Sequence, residues 1–241
     1  MASTAAQNIA TTTSTDSGLA TLLTGYRFFV AQDAETFARA LEIRRKVYVE
    51  DFGYDVDVPD EYDHRSWLLV AEHVESGEIV GTMRMTPRTL GPIEAEEYFN
   101  LPADLDRAEV VEISRFAILK AFRKTRTFLP VVSIGLFRLC HDLALFAGAE
   151  RQLVCSKAQR MWTYQSLGFE TTGLTAAYEK LNGVPHQILW HDFRQADAWL
   201  AGNPFHELFC ELSFDEVELP AEIPPRDLVD EPARYLHAVG A

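Results

Sequence analysis

The chain has 241 residues, nearly half of them apolar, which is enough for a sizeable core and favours one large domain over two. Its formal charge of −14 argues against nucleic acid as a main partner. It contains no apolar run of roughly 18 residues to span a membrane, and its first 20 residues lack the basic start and apolar middle of a secretory signal.

In chain order, residues 1–24 are rich in Ala, Thr and Ser and read as a disordered or loosely docked tail, with Leu19–Leu23 as a short docking helix. Tyr26–Ala31 alternates and predicts a first strand. Asp33 is an N-cap for a helix from about Ala34 to Glu50, whose Phe37, Leu41, Val47 and Tyr48 recur at helical spacing. Residues Asp51–Arg65 form a long acidic loop. In a compact domain such a loop is either a solvated connection or a functional element. Trp67–Val74 and Glu78–Thr86 read as a hairpin through Ser76-Gly77. Pro87–Asp106 is irregular or partly helical.

Val110–Leu119 follows. Its apolar content predicts a buried strand, yet Glu112, Ser114 and Arg115 stand in its middle. Buried charges are costly unless paired and hydrogen-bonded. On a regular pleat Glu112 and Arg115, three residues apart, face opposite sides, so a bulge or splay at Ser114 is expected to bring them to one cleft. The plain interpretation is a structural ion pair; the sharper one is a carboxylate poised for proton transfer.

A basic stretch, Lys120, Arg123, Lys124 and Arg126, leads into an apolar helix from about Pro130 to Ala147, closed by Gly148. Gln152–Ser156 predicts a short strand and Arg160–Leu167 a helix closed by Gly168. Thr172–Leu181 and Val184–Phe193 flank Asn182-Gly183, a strong hairpin signal. Beyond Ala196 the chain turns acidic and Pro-rich. A short helix near Asp197–Gly202 and an irregular extension packed on the domain, residues 197–241, are expected. The alternation of strands and helices predicts an α/β (α+β) domain over residues 25–196, a mixed central β-sheet flanked by helices. Cys140, Cys155 and Cys210 lack metal or disulfide spacing and read as free thiols of a reducing, cytoplasmic compartment. No metal site is expected.

This order resembles the GCN5-related N-acetyltransferase (acyl-CoA N-acyltransferase) fold. Its late helix typically ends Tyr-x-x-x-Gly-Phe, here Tyr164 to Gly168-Phe169. A narrower resemblance is to the autoinducer-synthase-like branch, the acyl-homoserine-lactone synthases and long-chain N-acyl amino acid synthases. It rests on Arg44 and Tyr48 one turn apart, Tyr54, Asp60-Glu61-Tyr62-Asp63, Gly81-Thr82-Met83-Arg84 and Glu112-Ile113-Ser114-Arg115-Phe116, in that order. Lactone synthases usually carry Trp where Tyr54 stands, and a longer acidic loop. Those departures lean away from S-adenosylmethionine and toward an amino acid acceptor. The loop before the long helix lacks the Gly-rich pattern that cradles coenzyme A pyrophosphate in acetyltransferases, which leans toward an acyl-carrier-protein donor.

The resemblance implies an N-acyltransferase moving a fatty acyl chain from acyl carrier protein, or acyl-CoA, to the α-amine of an amino acid or related amine, with no permanently bound cofactor. Glu112 is the candidate base. Ser114, Arg115 and Arg84 would complete the catalytic group, with main-chain N–H groups from Phe116 to Ile118 holding the thioester carbonyl. Arg44, Tyr48, Tyr54, Asp60, Asp63, Phe116, Ile118 and Tyr164 would bind substrate. Arg44, Arg84 and Arg115 are expected beside Asp60, Asp63 and Glu112, and one arginine is a candidate for a substrate carboxylate. Tyr164 is either the donor of a proton to the leaving thiolate or a core aromatic. Lys120, Arg123, Lys124 and Arg126 would meet the donor's phosphopantetheine or an acidic carrier. Phe128, Leu129, Val132, Phe137 and Leu143 fill the core, and some could line an acyl tunnel. Three alternatives stay open: a lactone synthase using S-adenosylmethionine, a CoA-dependent N-acetyltransferase, and a non-catalytic module binding acyl carrier protein.

Overall fold

The structure, a computed structural model, describes residues 21, 23–103, 105, 109–124, 129–195, 201, 205–206, 209 and 214–222. Arg126, Phe128, Cys210, nearly all of the N-terminal tail and most of the helix expected near 197–202 lie outside them.

Eight strands form one mixed sheet: β1 (Tyr26–Val30), β2 (Trp67–His73), β3 (Glu78–Pro87), β4 (Val110–Ile118), β5 (Arg151–Lys157), β6 (Glu170–Tyr178), β7 (Val184–Asp192) and β8 (Val217–Glu218). Their spatial order is β6-β7-β5-β4-β3-β2-β1-β8. The β4–β5 and β1–β8 pairs are parallel; the other neighbours run antiparallel. Thus the acidic extension, expected to be irregular, contributes a strand to the sheet. Phe209 and Phe214 from it are buried.

Helix α1 (Ala34–Arg44) starts where Asp33 accepts the Thr36 N–H at 2.7 Å. The expected helix to Glu50 changes character at Arg45: Arg45–Asp51 winds as a wider π turn. Such turns shift the side chains that follow and concentrate at functional sites. Here the turn delivers the Tyr48 hydroxyl to the Phe116 carbonyl, 3.3 Å away.

Helix α2 (Val131–Phe146) packs on the opposite face. Met83 and Met85 point to it, and Met85 meets Cys140. Its contact with the sheet is close because two glycines allow it. A Cβ on Gly135 would lie 2.1 Å from the Phe28 ring, and one on Gly81 2.7 Å from Val132. Phe28 is fully buried there, a contribution of about 1.5–3 kcal/mol. A short helix, α3 (Met161–Ser166), follows β5.

Two expectations are corrected in detail. The bulge in β4 sits at Arg115, not Ser114: Thr82 pairs with Ala117 and Arg84 with Ser114, so β4 carries one extra residue. Arg115 takes φ +51°, the left-handed region that accommodates such a residue. The β6–β7 connection is five residues, since Tyr178 pairs with Val184. A 3₁₀ turn (Glu179–Leu181) precedes Asn182 and Gly183, both at positive φ. Strand β6 also departs from the ladder between Thr171 and Thr175, where Gly173 has φ +78° and the Thr171 and Thr172 hydroxyls take over hydrogen bonding to β7.

Candidate active site where two strands part

Strands β4 and β5 pair only from Val110–Arg151 to Ile113–Val154. Beyond that β4 runs on to Ile118 and β5 to Lys157, with no ladder between them. The Leu119 N–H bonds to Val80 of β3. Strand alternation therefore turns the Phe116 and Ile118 main-chain groups to the parted side. Their carbonyls are occupied there, Phe116 by Tyr48 and Ile118 by the Arg123 Nε at 2.6 Å. Their N–H groups share that edge, as oxyanion stabilisation requires.

Glu112 lies on the α1 face of β4, level with Thr86 of β3 and Leu153 of β5. It is 1% exposed. Its carboxyl accepts the N–H groups of Glu94 (2.8 Å) and Ala95 (3.1 Å), holding the 3₁₀ turn Glu94–Glu97 against the sheet. Burial first, and the neighbouring Glu94 second, push its pKa up to about 8, although Arg84, Arg115 and the N–H donors pull the other way.

The arginines are placed where expected, but one partner differs. Arg44 bonds to Asp63 at 2.5 Å and to Asp60 at 3.4 Å. Arg84 bonds to Asp60, to Glu94 at 2.6 Å and through Nε to Ser114 Oγ at 2.9 Å. Arg115 reaches Asp60 at 2.9 Å and Glu94 at 2.7 Å. Their carboxylate partners are thus Asp60, Asp63 and Glu94, while Glu112 is held by main-chain N–H groups. Burial raises the Asp60 pKa, but Arg84, Arg115 and Arg44 outweigh it and hold it at about 2. Sequence reasoning missed Glu94. It stands in an acidic run, Glu94-Ala95-Glu96-Glu97, that resembles a solvated turn.

The outer wall of the cleft is aromatic. Tyr48 and Tyr54 lie 5.9 Å apart, and Lys157 donates to the Tyr54 hydroxyl. Tyr98 stacks on Tyr178 at 3.8 Å. Tyr164 sits on the other side of the sheet, edge-on to Phe137 (5.8 Å) and Phe169 (5.7 Å), and burial raises its hydroxyl pKa. Its ring packs as a core aromatic, while its hydroxyl is close enough to Tyr48 and Cys155 of the cleft to feel their charge, so both alternatives for Tyr164 stay open. Of the basic stretch, Arg123 is tied to Asp51 at 2.7 Å and to the Ile118 carbonyl, so it clasps the π turn to the end of β4. Lys120 and Lys124 are exposed.

The raised Glu112 pKa has a consequence for stability. The folded protein holds this proton more tightly than the unfolded chain, so unfolding releases it between about pH 4.5 and 8. Stability should therefore fall as pH rises through that window. Glu112→Gln should flatten the slope. Denaturant titrations at pH 5.5, 7 and 8.5 check this; equal slopes for wild type and variant would refute it. Asp60, with its lowered pKa, acts in the opposite sense and only in acid, below the ordinary carboxylate range.

A mixed sheet with two parting parallel strands, flanked by helices, is the acyltransferase fold of the GCN5-related class, and solved structures bear this out. The N-acyl amino acid synthase FeeM from uncultured soil microbes superposes with a TM-score of 0.58 at 16% identity, over 76% of this chain and 96% of that one. TofI, solved in a ternary complex with an inhibitor and MTA, gives 0.55 at 22% identity, over 72% and 96%. BjaI, a CoA-dependent acyl-homoserine lactone synthase solved with SAM and isopentyl-CoA, gives 0.55 at 18%, over 87% and 100%. Among curated proteins none matches. The sequence model of the N-acyl amino acid synthase FeeM family matches residues 39–192. The chain belongs to that family, and it is an acyltransferase. Among the described residues no helix is long and apolar enough to cross a membrane.

Proposed function

We propose that this enzyme transfers a fatty acyl chain from acyl carrier protein to the α-amine of an amino acid. The observation that carries this reading is Glu112, a buried carboxyl on β4 just before β4 and β5 part, its proton affinity raised by burial. An α-amine titrates at about 7.7–8, and the raised proton affinity of Glu112 brings it toward that range, so it is a stronger base for an amine proton than an ordinary carboxylate. The amine nitrogen attacks the thioester carbon, the C–N bond forms and the C–S bond breaks. The amine proton passes to Glu112, directly or through one water. The thiolate leaves and takes up a proton from solvent. Main-chain N–H groups of Phe116 and Ile118 hold the oxyanion, and Arg84, Arg115 and Asp60 fix the loop that covers the acceptor.

The test is direct. Purified protein is given long-chain acyl carrier protein or acyl-CoA with a panel of amino acids, and products are read by mass spectrometry. An N-acyl amino acid supports the reading; an acyl lactone formed only with S-adenosylmethionine, or acetylation only from acetyl-CoA, replaces it.

The donor assignment rests on charge. Lys120 and Lys124 form an exposed basic corner on a chain of charge −14, and the loop has no glycines to wrap a pyrophosphate. Turnover with the carrier protein should exceed that with acyl-CoA of equal length. It should fall steeply with salt, since rim charges act mainly on encounter. Equal salt sensitivity with CoA preferred would reverse the assignment.

A further inference from the structure

An amino acid acceptor brings a carboxylate into the cleft, and the arginines are poor seats for it. Arg44, Arg84 and Arg115 are 0%, 0% and 6% exposed at the side chain, and each is already matched to carboxylates of the chain itself. A substrate carboxylate there would have to displace Asp60 or Glu94 and strand a buried charge.

A different cation stands in the same cleft. Leu153 of β5 is level with Glu112, and parallel neighbours at one level share a face. Two and four residues on, Cys155 and Lys157 point to that face, past the last β4–β5 pair. Lys157 is only partly buried. Its ammonium lies 4.6 Å from the Tyr54 ring centre and donates to the Tyr54 hydroxyl. Among the described residues no carboxylate pairs with it. Across the sheet it is opposite His186, which burial keeps below its usual pKa and whose ring meets Tyr178 at a tilt, 4.5 Å between centres. The ammonium is therefore walled by neutral aromatic groups, which strengthen its attraction for an incoming anion.

We propose that Lys157, supported by the Tyr54 hydroxyl, seats the acceptor's carboxylate and so selects free α-amino acids over amines that lack one. This rests on the N-acyl amino acid reading above. The carboxylate would replace the phenol as the ammonium's main partner.

The experiment compares an accepted α-amino acid with its own primary amide, using wild type, Lys157→Met and Lys157→Arg. Wild type should show a KM for the acid about 10- to 100-fold below that for the amide, the range of one charge-assisted contact. Lys157→Met should raise the KM for the acid to that of the amide, with the amide's kcat and KM nearly unchanged. Lys157→Arg should restore part of the preference. Two results overturn the inference while leaving the enzyme's reaction intact: unchanged discrimination in Lys157→Met, or equal loss with both acceptors, which marks a merely structural lysine. If wild type acylates no amino acid at all, the reaction itself is misassigned and the inference falls with it. An unchanged thermal midpoint serves as the folding control.

Discussion

Glu112→Gln should lower turnover by about 10²- to 10⁴-fold, the cost of removing a positioned base. The substitution is nearly isosteric, so the fold should survive. One of the two main-chain N–H groups of Glu94 and Ala95 would meet the new amide oxygen, and the other would lose its acceptor. An unmet buried donor costs about 1–3 kcal/mol, a loss visible in the thermal midpoint but too small to unfold a domain of this size. Rate and stability are thus separable. Turnover near wild type, with the acceptor saturating, would remove Glu112 from the chemistry and leave it as the clamp of the 3₁₀ turn.

Arg84→Ala is expected to produce the largest loss of stability in the chain, about 3–5 kcal/mol, the range for breaking a buried pair from one side. Arg84 is fully buried and bonds to Ser114, Asp60 and Glu94 at once. Its removal leaves Asp60 to Arg44 and Arg115, and Glu94 to Arg115 alone. Arg115→Ala should cost less, since Arg84 still serves both carboxylates, and it would also free the bulge from its charged anchor. Arg84→Lys should recover little, because a single ammonium cannot meet three acceptors arranged around a planar guanidinium. Chemical denaturation of the variants gives these values directly. An unchanged midpoint for Arg84→Ala would mean the network contributes nothing net.

Much of the fold was legible because its signals are local. Asp33 as N-cap, the Ser76-Gly77 turn between β2 and β3 and the Asn182-Gly183 pair each act within a few residues. The strand bearing Glu112 was legible for the opposite reason, since charges inside an apolar run have few explanations. What was hidden depends on contacts distant in sequence. Nothing in residues 45–51 distinguishes a π turn from an α-helix. Glu94 reads as surface until Arg84 and Arg115 are brought against it from two strands. Lys157 ends an apolar strand as many lysines do, and only the absence of a β4–β5 ladder beyond Val154 turns it toward a cleft. The position of the bulge needed the β3 register, since Ser114 and Arg115 are equally plausible until Thr82 and Arg84 are counted against them.

The irregularity in β6 bears on how the protein behaves in company. An outer strand rich in threonine and free of proline offers main-chain donors and acceptors on which a second copy could build a continued sheet. Here the register jumps between Thr171 and Thr175, Gly173 turns the backbone over, and the Thr171 and Thr172 hydroxyls satisfy groups that the ladder has abandoned. Only two short stretches of regular edge remain, too brief to template association. A second copy adding to β6 would meet a broken edge, at the rim of the sheet opposite β8.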